Sequence, residues 1–251
     1  MSGIVLRLAG PLQSWGEHST FSERDTLRFP TRSGIIGLLA AAQGISRGKP
    51  LDRYDPLRLT VRIDRHGTLT QDFHTAGGGV PRSRSIPTAE GKRRAEGKAT
   101  VVTRRWYLSD AVFTIGIEGP DTLIQKTAAA LARPHWPPYL GRRSCPPDQP
   151  LLLRAVPGNP VTDLRERVPL PGPGAPGGND VIDIEMITEI PDAEAPSTEV
   201  ADVPDVLGRH ERRYRTRAVY QTTVQVPARL AAWRTANDYH KALHEYARTL
   251  S

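Results

Sequence analysis

Apolar and polar positions change rhythm several times along this chain, and each change marks an element. Ile4-Val5-Leu6-Arg7-Leu8-Ala9 alternates and predicts a strand, stopped by Gly10-Pro11. After Pro30, Thr31 to Ser33 supplies a helix start. Ile35, Leu38, Leu39, Ala42 and Ile45 then recur at helical spacing, with Gly44 weakening the end. Leu57 to Asp64 alternates strictly, and Thr68 to His74 follows after Arg65-His66-Gly67, which predicts that these two strands pair through the turn. Val101 to Leu108 reads as a returning strand and Asp110 to Glu118 as a strong one. Pro120-Asp121 opens a second helix, with Leu123, Ile124, Thr127, Ala128 and Leu131 on one face, and it ends before Pro134. Leu151 to Val156 supplies a further strand.

This order predicts an α+β chain, a β-α-β-β-α-β sandwich over residues 1–156 with a long hairpin inserted at about 76–104. Residues 157–251 read as a C-terminal extension. Within it, Pro169 to Gly178 is a proline–glycine loop, and Asp192 to Asp205 is acidic and expected to be solvated. Tyr214 to Val226 alternates like a strand. Residues 229–250 predict an amphipathic helix, with Ala236, Tyr239, Leu243, Tyr246 and Leu250 as the stripe packed on the body.

Composition narrows the class. The 251 residues leave ample material for a core. No apolar run is long enough to span a bilayer, and the amino terminus enters a strand without a secretory pattern. Cys145 is the only cysteine, so no internal disulfide can form, and a cytoplasmic protein without membrane contact is expected. The formal net charge is +7, and most of the positive charge is arginine, whose planar fork suits phosphate and stacks on bases.

The arginines gather at three places. Arg24, Arg28 and Arg32 surround the start of the first helix. The insertion carries Arg82, Arg84, Lys92, Arg93, Arg94, Lys98, Arg104 and Arg105, against only Glu90 and Glu96. Arg142-Arg143-Ser144 follows Gly141. A helix amino terminus presents unpaired N–H groups and favours phosphate, so Thr31, Arg32, Ser33 and Gly34 form a candidate anion site, with Gly34 allowing close approach. An ordinary capped helix with surface arginines is the alternative. Trp15, in the polar setting Gln13-Ser14-Trp15, offers an indole for stacking on an unpaired base, or else folds back onto the core. A protruding basic arm is what a single-stranded backbone needs to follow; a solvated loop is the alternative. The Gly141 loop can aim backbone N–H groups and two guanidinium groups at one phosphate run.

Other chemistry is poorly served. The stretch 91–99 has the wrong glycine spacing for a nucleotide-binding loop and ends in Ala99 where Ser or Thr is needed. No cysteine–histidine set suits zinc, and no cofactor is expected. The aromatic signature of the common RNA-recognition sheet is missing. His18, His66 and His74 are the candidates for a general base in RNA cleavage.

"LRLAGPLQSWG", "RFPTRSGIIGLLAAAQGI", "VRIDRHG", "QDFHT", "YLSDAVFTIGIEG" and "YLGRRSCPP" resemble, in order from about residue 4 to 156, the fifth Cas family. This family belongs to the RAMP group, and the resemblance is to its form in the type I-E CRISPR surveillance complex, Cascade; "ERRYRTRAV" at 211–219 fits its later part. The resemblance implies a ferredoxin-like fold with a thumb hairpin at the basic insertion. It implies a non-catalytic antiviral-defence subunit that caps the 5′ handle of the CRISPR RNA and contacts the backbone subunit. It also implies contact with the large subunit that recognises foreign DNA, so that target DNA is reached indirectly. In a sister subtype the equivalent protein cuts RNA with a tyrosine–lysine–histidine set, which cannot be matched here. On this reading the handle's phosphates meet Thr31 to Gly34 and Arg142-Arg143-Ser144, and unpaired bases meet Gln13 and Trp15. The thumb, with His74, Arg82, Arg84, Arg104 and Arg105, wedges against RNA and a neighbouring subunit. A metal-independent repeat endoribonuclease and a protein-assembly module with incidental charge are the alternatives.

Overall fold

The first strand, β1 (Ser2–Ala9), is buried along nearly its whole length, because both of its faces are covered. The structure is a computed structural model, and it describes residues 1–17, 22–88, 90–95, 99–172, 179–207 and 212–248. Ile4, Leu6 and Leu8 enter one core with helices α1 (Arg32–Ala42) and α2 (Asp121–Ala132). Val5 enters a second core with helices α3 (Pro160–Glu166) and α4 (Ala236–Arg248). Arg7 lies on this second side, where its Nε donates to the Tyr239 hydroxyl at 3.2 Å.

β1 is part of a seven-stranded antiparallel sheet. Its other members are β4 (Arg58–Arg65), β7 (Val112–Gly119), β8 (Leu152–Pro157), β9 (Val181–Thr188), β10 (Ser197–Leu207) and β11 (Arg212–Pro227), in the order β10-β11-β9-β4-β7-β1-β8. The right-hand four come from the first 157 residues. The C-terminal segment therefore contributes three strands to the same sheet, extending it beyond β4. Asp192 to Asp205 is not simply a solvated acidic run: much of it is β10, and Asp202 within it is buried.

A second sheet has β6 (Val101–Ser109) at its centre. Short strands β2 (Leu12–Gln13) and β3 (Glu23–Arg24) pair with it, and so does β5 (Thr68–Ala76). Here the structure corrects the expected pairing of Thr68–His74 with Leu57–Asp64. β4 pairs with β7 and β9, and β5 pairs with β6. The register nevertheless runs on from Arg65↔Val112 to Thr68↔Ser109, so the β5–β6 arm prolongs the β4–β7 pair. At the junction Gly67 has φ +67, and a Cβ there would lie 2.5 Å from the Ser109 carbonyl oxygen. β5 buries no side chain, so hydrophobic burial gives it no reason to enter the larger sheet.

Buried ion pairs tie the second face together. Arg62 and Asp64 are both fully buried and meet at 2.6 Å. Arg62 also donates to the carbonyls of Leu164, Val168 and Pro169, which satisfies the end of α3. The Tyr246 hydroxyl donates to Asp163 at 2.6 Å, and the Arg154 guanidinium lies 4.5 Å from the Tyr246 ring centre. Of the expected stripe, Tyr239, Leu243 and Tyr246 are buried, Ala236 is exposed, and Leu250 lies outside the described residues. The helix starts later than 229 because Ala228–Ala231 forms a 3-10 turn and Trp233 bonds back to the Leu170 and Leu230 carbonyls. Thr235 and Asp238 then cap each other's backbone N–H. Among the described residues no helix is long and apolar enough to cross a membrane.

Candidate nucleic-acid interface

The mouth of α1 is already filled. Thr31 caps the helix by accepting from the Gly34 N–H at 3.3 Å. The Arg32 N–H, which a phosphate was expected to take, donates instead to Asp202 Oδ2 at 2.5 Å. Asp202 also takes two bonds from Arg217, at 2.6 and 2.8 Å. The Arg32 guanidinium is turned inward to Glu189 at 2.8 Å and to the carbonyls of Leu57 and Tyr54, both at 2.9 Å. Glu189 in turn accepts from Arg217 at 2.8 Å. Burial works against the charge of Arg217, but the bond from Asp202 and the charges of Glu189 and Asp202 outweigh it and hold its pKa above the ordinary value. Two arginines and two carboxylates thus close a neutral quartet at the helix start. The expectation of a phosphate site at Thr31, Arg32, Ser33 and Gly34 is corrected on this ground. Ser33 is half-buried and its hydroxyl donates to Thr31 at 3.4 Å.

Trp15 is also corrected. It is wholly buried, and its indole N–H donates to Gln13 Oε1 at 3.1 Å. Gln13 spends its amide on the carbonyls of Leu8 (3.0 Å) and Ala111 (2.8 Å), and Ser14 donates to the Trp106 carbonyl at 3.0 Å. The polar neighbours that suggested solvent thus hold the indole inside, with no ring face left for a base. Gly34 serves the same packing. A Cβ there would sit 2.8 Å from the Trp15 ring, so the close approach it allows is that of the indole and not of a ligand.

What stays open is a basic surface around β6. Strand β3 pairs parallel with it, setting Arg24 beside Arg105 and Glu23 beside Arg104. Arg142 reaches across from its loop, with its guanidinium 4.8 Å from the Tyr107 ring centre and its NH2 group donating to the Arg24 carbonyl at 3.2 Å. Gly141 makes this possible. It has φ +83, and a Cβ there would fall 1.7 Å from the Ser14 carbonyl oxygen, so the loop presses backbone to backbone. Arg143, Ser144 and Arg28 are exposed. Arg104 is 61% exposed and forms an ion pair with Glu23 at 3.5 Å. Arg105 donates to Thr103 at 3.0 Å.

The connection between β5 and β6 carries the remaining charge. Arg82 and Arg84 lie exposed on a 3-10 turn, and Lys92 and Arg93 are exposed beyond it. Ser85 is buried there and donates to the carbonyls of Arg82 and Arg94, while Arg93 donates back to the Ser85 carbonyl. Lys98 and His18 lie outside the described residues. His74 is half-exposed on β5, 3.6 Å from Asp72, and His66 meets Glu185 at 3.2 Å on the other sheet. Two aromatics that the sequence reading did not single out, Tyr107 and Phe73, sit on this arm. The alternation Leu69, Gln71, Phe73 was the available signal.

The comparisons bear on what this surface serves. A family model described as CRISPR-associated protein (Cas_Cas5) matches residues 3–220. The CRISPR system Cascade subunit CasD of Escherichia coli (strain K12) is 37% identical over 166 residues, covering 61% of this chain and 70% of that one. Among solved structures, one from a CRISPR RNA-guided surveillance complex aligns with TM-score 0.87 and 49% identity, covering 98% of this chain and 99% of that chain. A crystal structure of a Cas protein aligns with TM-score 0.62 and 30% identity, covering 91% and 97%. With most of its length inside the family match, and its mixed α+β architecture of antiparallel strands shared with these relatives, the chain belongs to the CRISPR-associated Cas5 family.

Proposed function

We propose that this chain is a non-catalytic subunit of a Cascade surveillance complex, which binds and caps the 5′ handle of the CRISPR RNA and helps assemble the complex for antiviral defence in the cytoplasm. Its partners are the CRISPR RNA, the backbone subunit and the large subunit, and it meets target DNA indirectly. The observation that carries this reading is the basic charge around β6: Arg24, Arg105 and Arg142 gather on one face of the strand, Arg104 lies on the other, and Arg82, Arg84, Lys92 and Arg93 follow in the connection beyond it. Such a track suits a single-stranded phosphate backbone. The names of the similar proteins, a Cascade subunit and a CRISPR RNA-guided complex, support the same assignment.

The fold supports a finer reading. Strands β4-β7-β1-β8, with α1 following β1 and α2 following β7, have the connectivity of a ferredoxin-like unit. The β5–β6 arm is then its inserted thumb. The handle's phosphates run over Arg24, Arg142, Arg143 and Ser144 toward the thumb, because the α1 mouth is closed.

The nuclease alternative is separated by incubating the purified chain with repeat RNA in EDTA. Intact RNA is expected, since among the described residues His66 and His74 each face a carboxylate, Glu185 and Asp72, and neither is shown with a second acid–base partner. Specific cutting of the repeat, lost in His74→Ala, would replace the binding reading with the nuclease one.

A further inference from the structure

Phe73 is out of place by ordinary packing. It is 67% exposed on an interior position of β5, while Phe113 is fully buried and Phe29 packs against the core. Burying such a ring is worth about 1.5–3 kcal/mol, so an exposed one in mid-strand is a contact surface in waiting. Its neighbours say what kind. The register sets Phe73 opposite Arg104, Gln71 opposite Trp106 and Thr75 opposite Val102, so these six share one face of the arm. Trp106 is half-buried and lies diagonally from Phe73, about 7–8 Å away by cross-strand spacing. Leu69 and Val102, 36% and 44% exposed, lie on the same face. Arg104 faces Phe73 and adjoins Trp106 on the same strand, and Gln71 and Thr75 break the apolar area. A protein partner docking through hydrophobic area would need a broader apolar patch than this. An unpaired base on a phosphate backbone needs a ring to lie on and a cation beside it, and the strip supplies both. Glu23 pairs with Arg104 from β3, and Asp72 is on the opposite face with His74.

We infer that Phe73 is a stacking platform for an unpaired base of the bound RNA, with Arg104 taking the adjoining phosphate and Trp106 flanking the base. This rests on the RNA-binding reading above and gives to the arm the aromatic role that the burial of Trp15 leaves vacant.

The test uses the full chain and a short single-stranded RNA from the repeat, with 2-aminopurine placed at one position at a time. Binding to the wild type is expected to quench the fluorophore at one position. Phe73→Ala is expected to remove that quenching and weaken binding about 5- to 150-fold, the equivalent of one stacked base at 1–3 kcal/mol. Phe73→Trp is expected to keep both, and Phe73→Leu to keep neither. Thermal melting should not move, because the side chain is exposed. Equal affinity and quenching in Phe73→Ala would overturn the inference while leaving RNA binding intact; so would full recovery by Phe73→Leu. Loss of partner subunits with RNA affinity unchanged would make the strip a protein contact instead. If the wild type itself binds no RNA, the underlying reading fails, and this inference with it.

Discussion

Asp202→Ala is expected to destabilise the chain by about 3–5 kcal/mol, the range for breaking a buried ion pair by removing one partner. The carboxylate is wholly buried and serves two groups at once. Its loss leaves Arg217 with Glu189 alone and strips the Arg32 N–H of its acceptor. Both defects fall where α1, β10 and β11 meet, so the damage reaches the helix that packs on Trp15. Asp202→Asn keeps an acceptor for the N–H and loses the charge, and it is expected to be less damaging. Urea unfolding measures both. The same variants bear on function: if the mouth of α1 were the phosphate site, removing its internal anion would strengthen RNA binding. Unchanged RNA affinity per folded molecule is the expected result, and tighter binding by Asp202→Asn would restore the site that the quartet was taken to exclude.

Replacing residues 77–100 with an Asn-Gly turn is expected to leave a folded protein that no longer retains RNA or partner subunits. The ladder already ends at Ala76↔Val101, so a two-residue turn closes it without moving either strand. The removed segment keeps its polar bonds largely to itself, as Ser85 does with Arg82 and Arg94. What goes with it is the charge of Arg82, Arg84, Lys92, Arg93, Arg94 and Lys98, offset only by Glu90 and Glu96. Melting near that of the wild type, together with loss of co-purifying RNA, supports the assignment. An unfolded product would make the segment structural, and a folded one with full RNA occupancy would leave the binding to Arg24, Arg142 and Arg143.

The periodic elements were legible in the sequence because their signals are local. The three-four spacing after Pro30 and the Pro120-Asp121 start correspond to α1 and α2, and the alternating runs to β1, β4, β7 and β8. The site was legible as charge but not as geometry. Gln13 and Ser14 look solvated in sequence, yet their side chains are spent on Leu8, Ala111 and Trp106, and the last two of these lie about a hundred positions away. Asp202 sits in an acidic run, and only the fold brings Arg32 and Arg217 onto it. Spacing cannot report a closure of this kind, since a carboxylate at a helix start fills the same place a phosphate would. The pairing of β5 was likewise set at a distance, by the register that β4 and β7 hand on to it.

The most direct measurement is the affinity of the chain for single-stranded repeat RNA across a series of salt concentrations, in the wild type and in the Arg82→Ala/Arg84→Ala/Lys92→Ala variant. A phosphate-led grip predicts a straight, steep fall of log affinity with log salt, and a slope shallower by about 0.7 for each contacting residue removed. A slope near zero in the wild type, or one that the variant leaves unchanged, would contradict the account of the arm as the part of this protein that holds RNA.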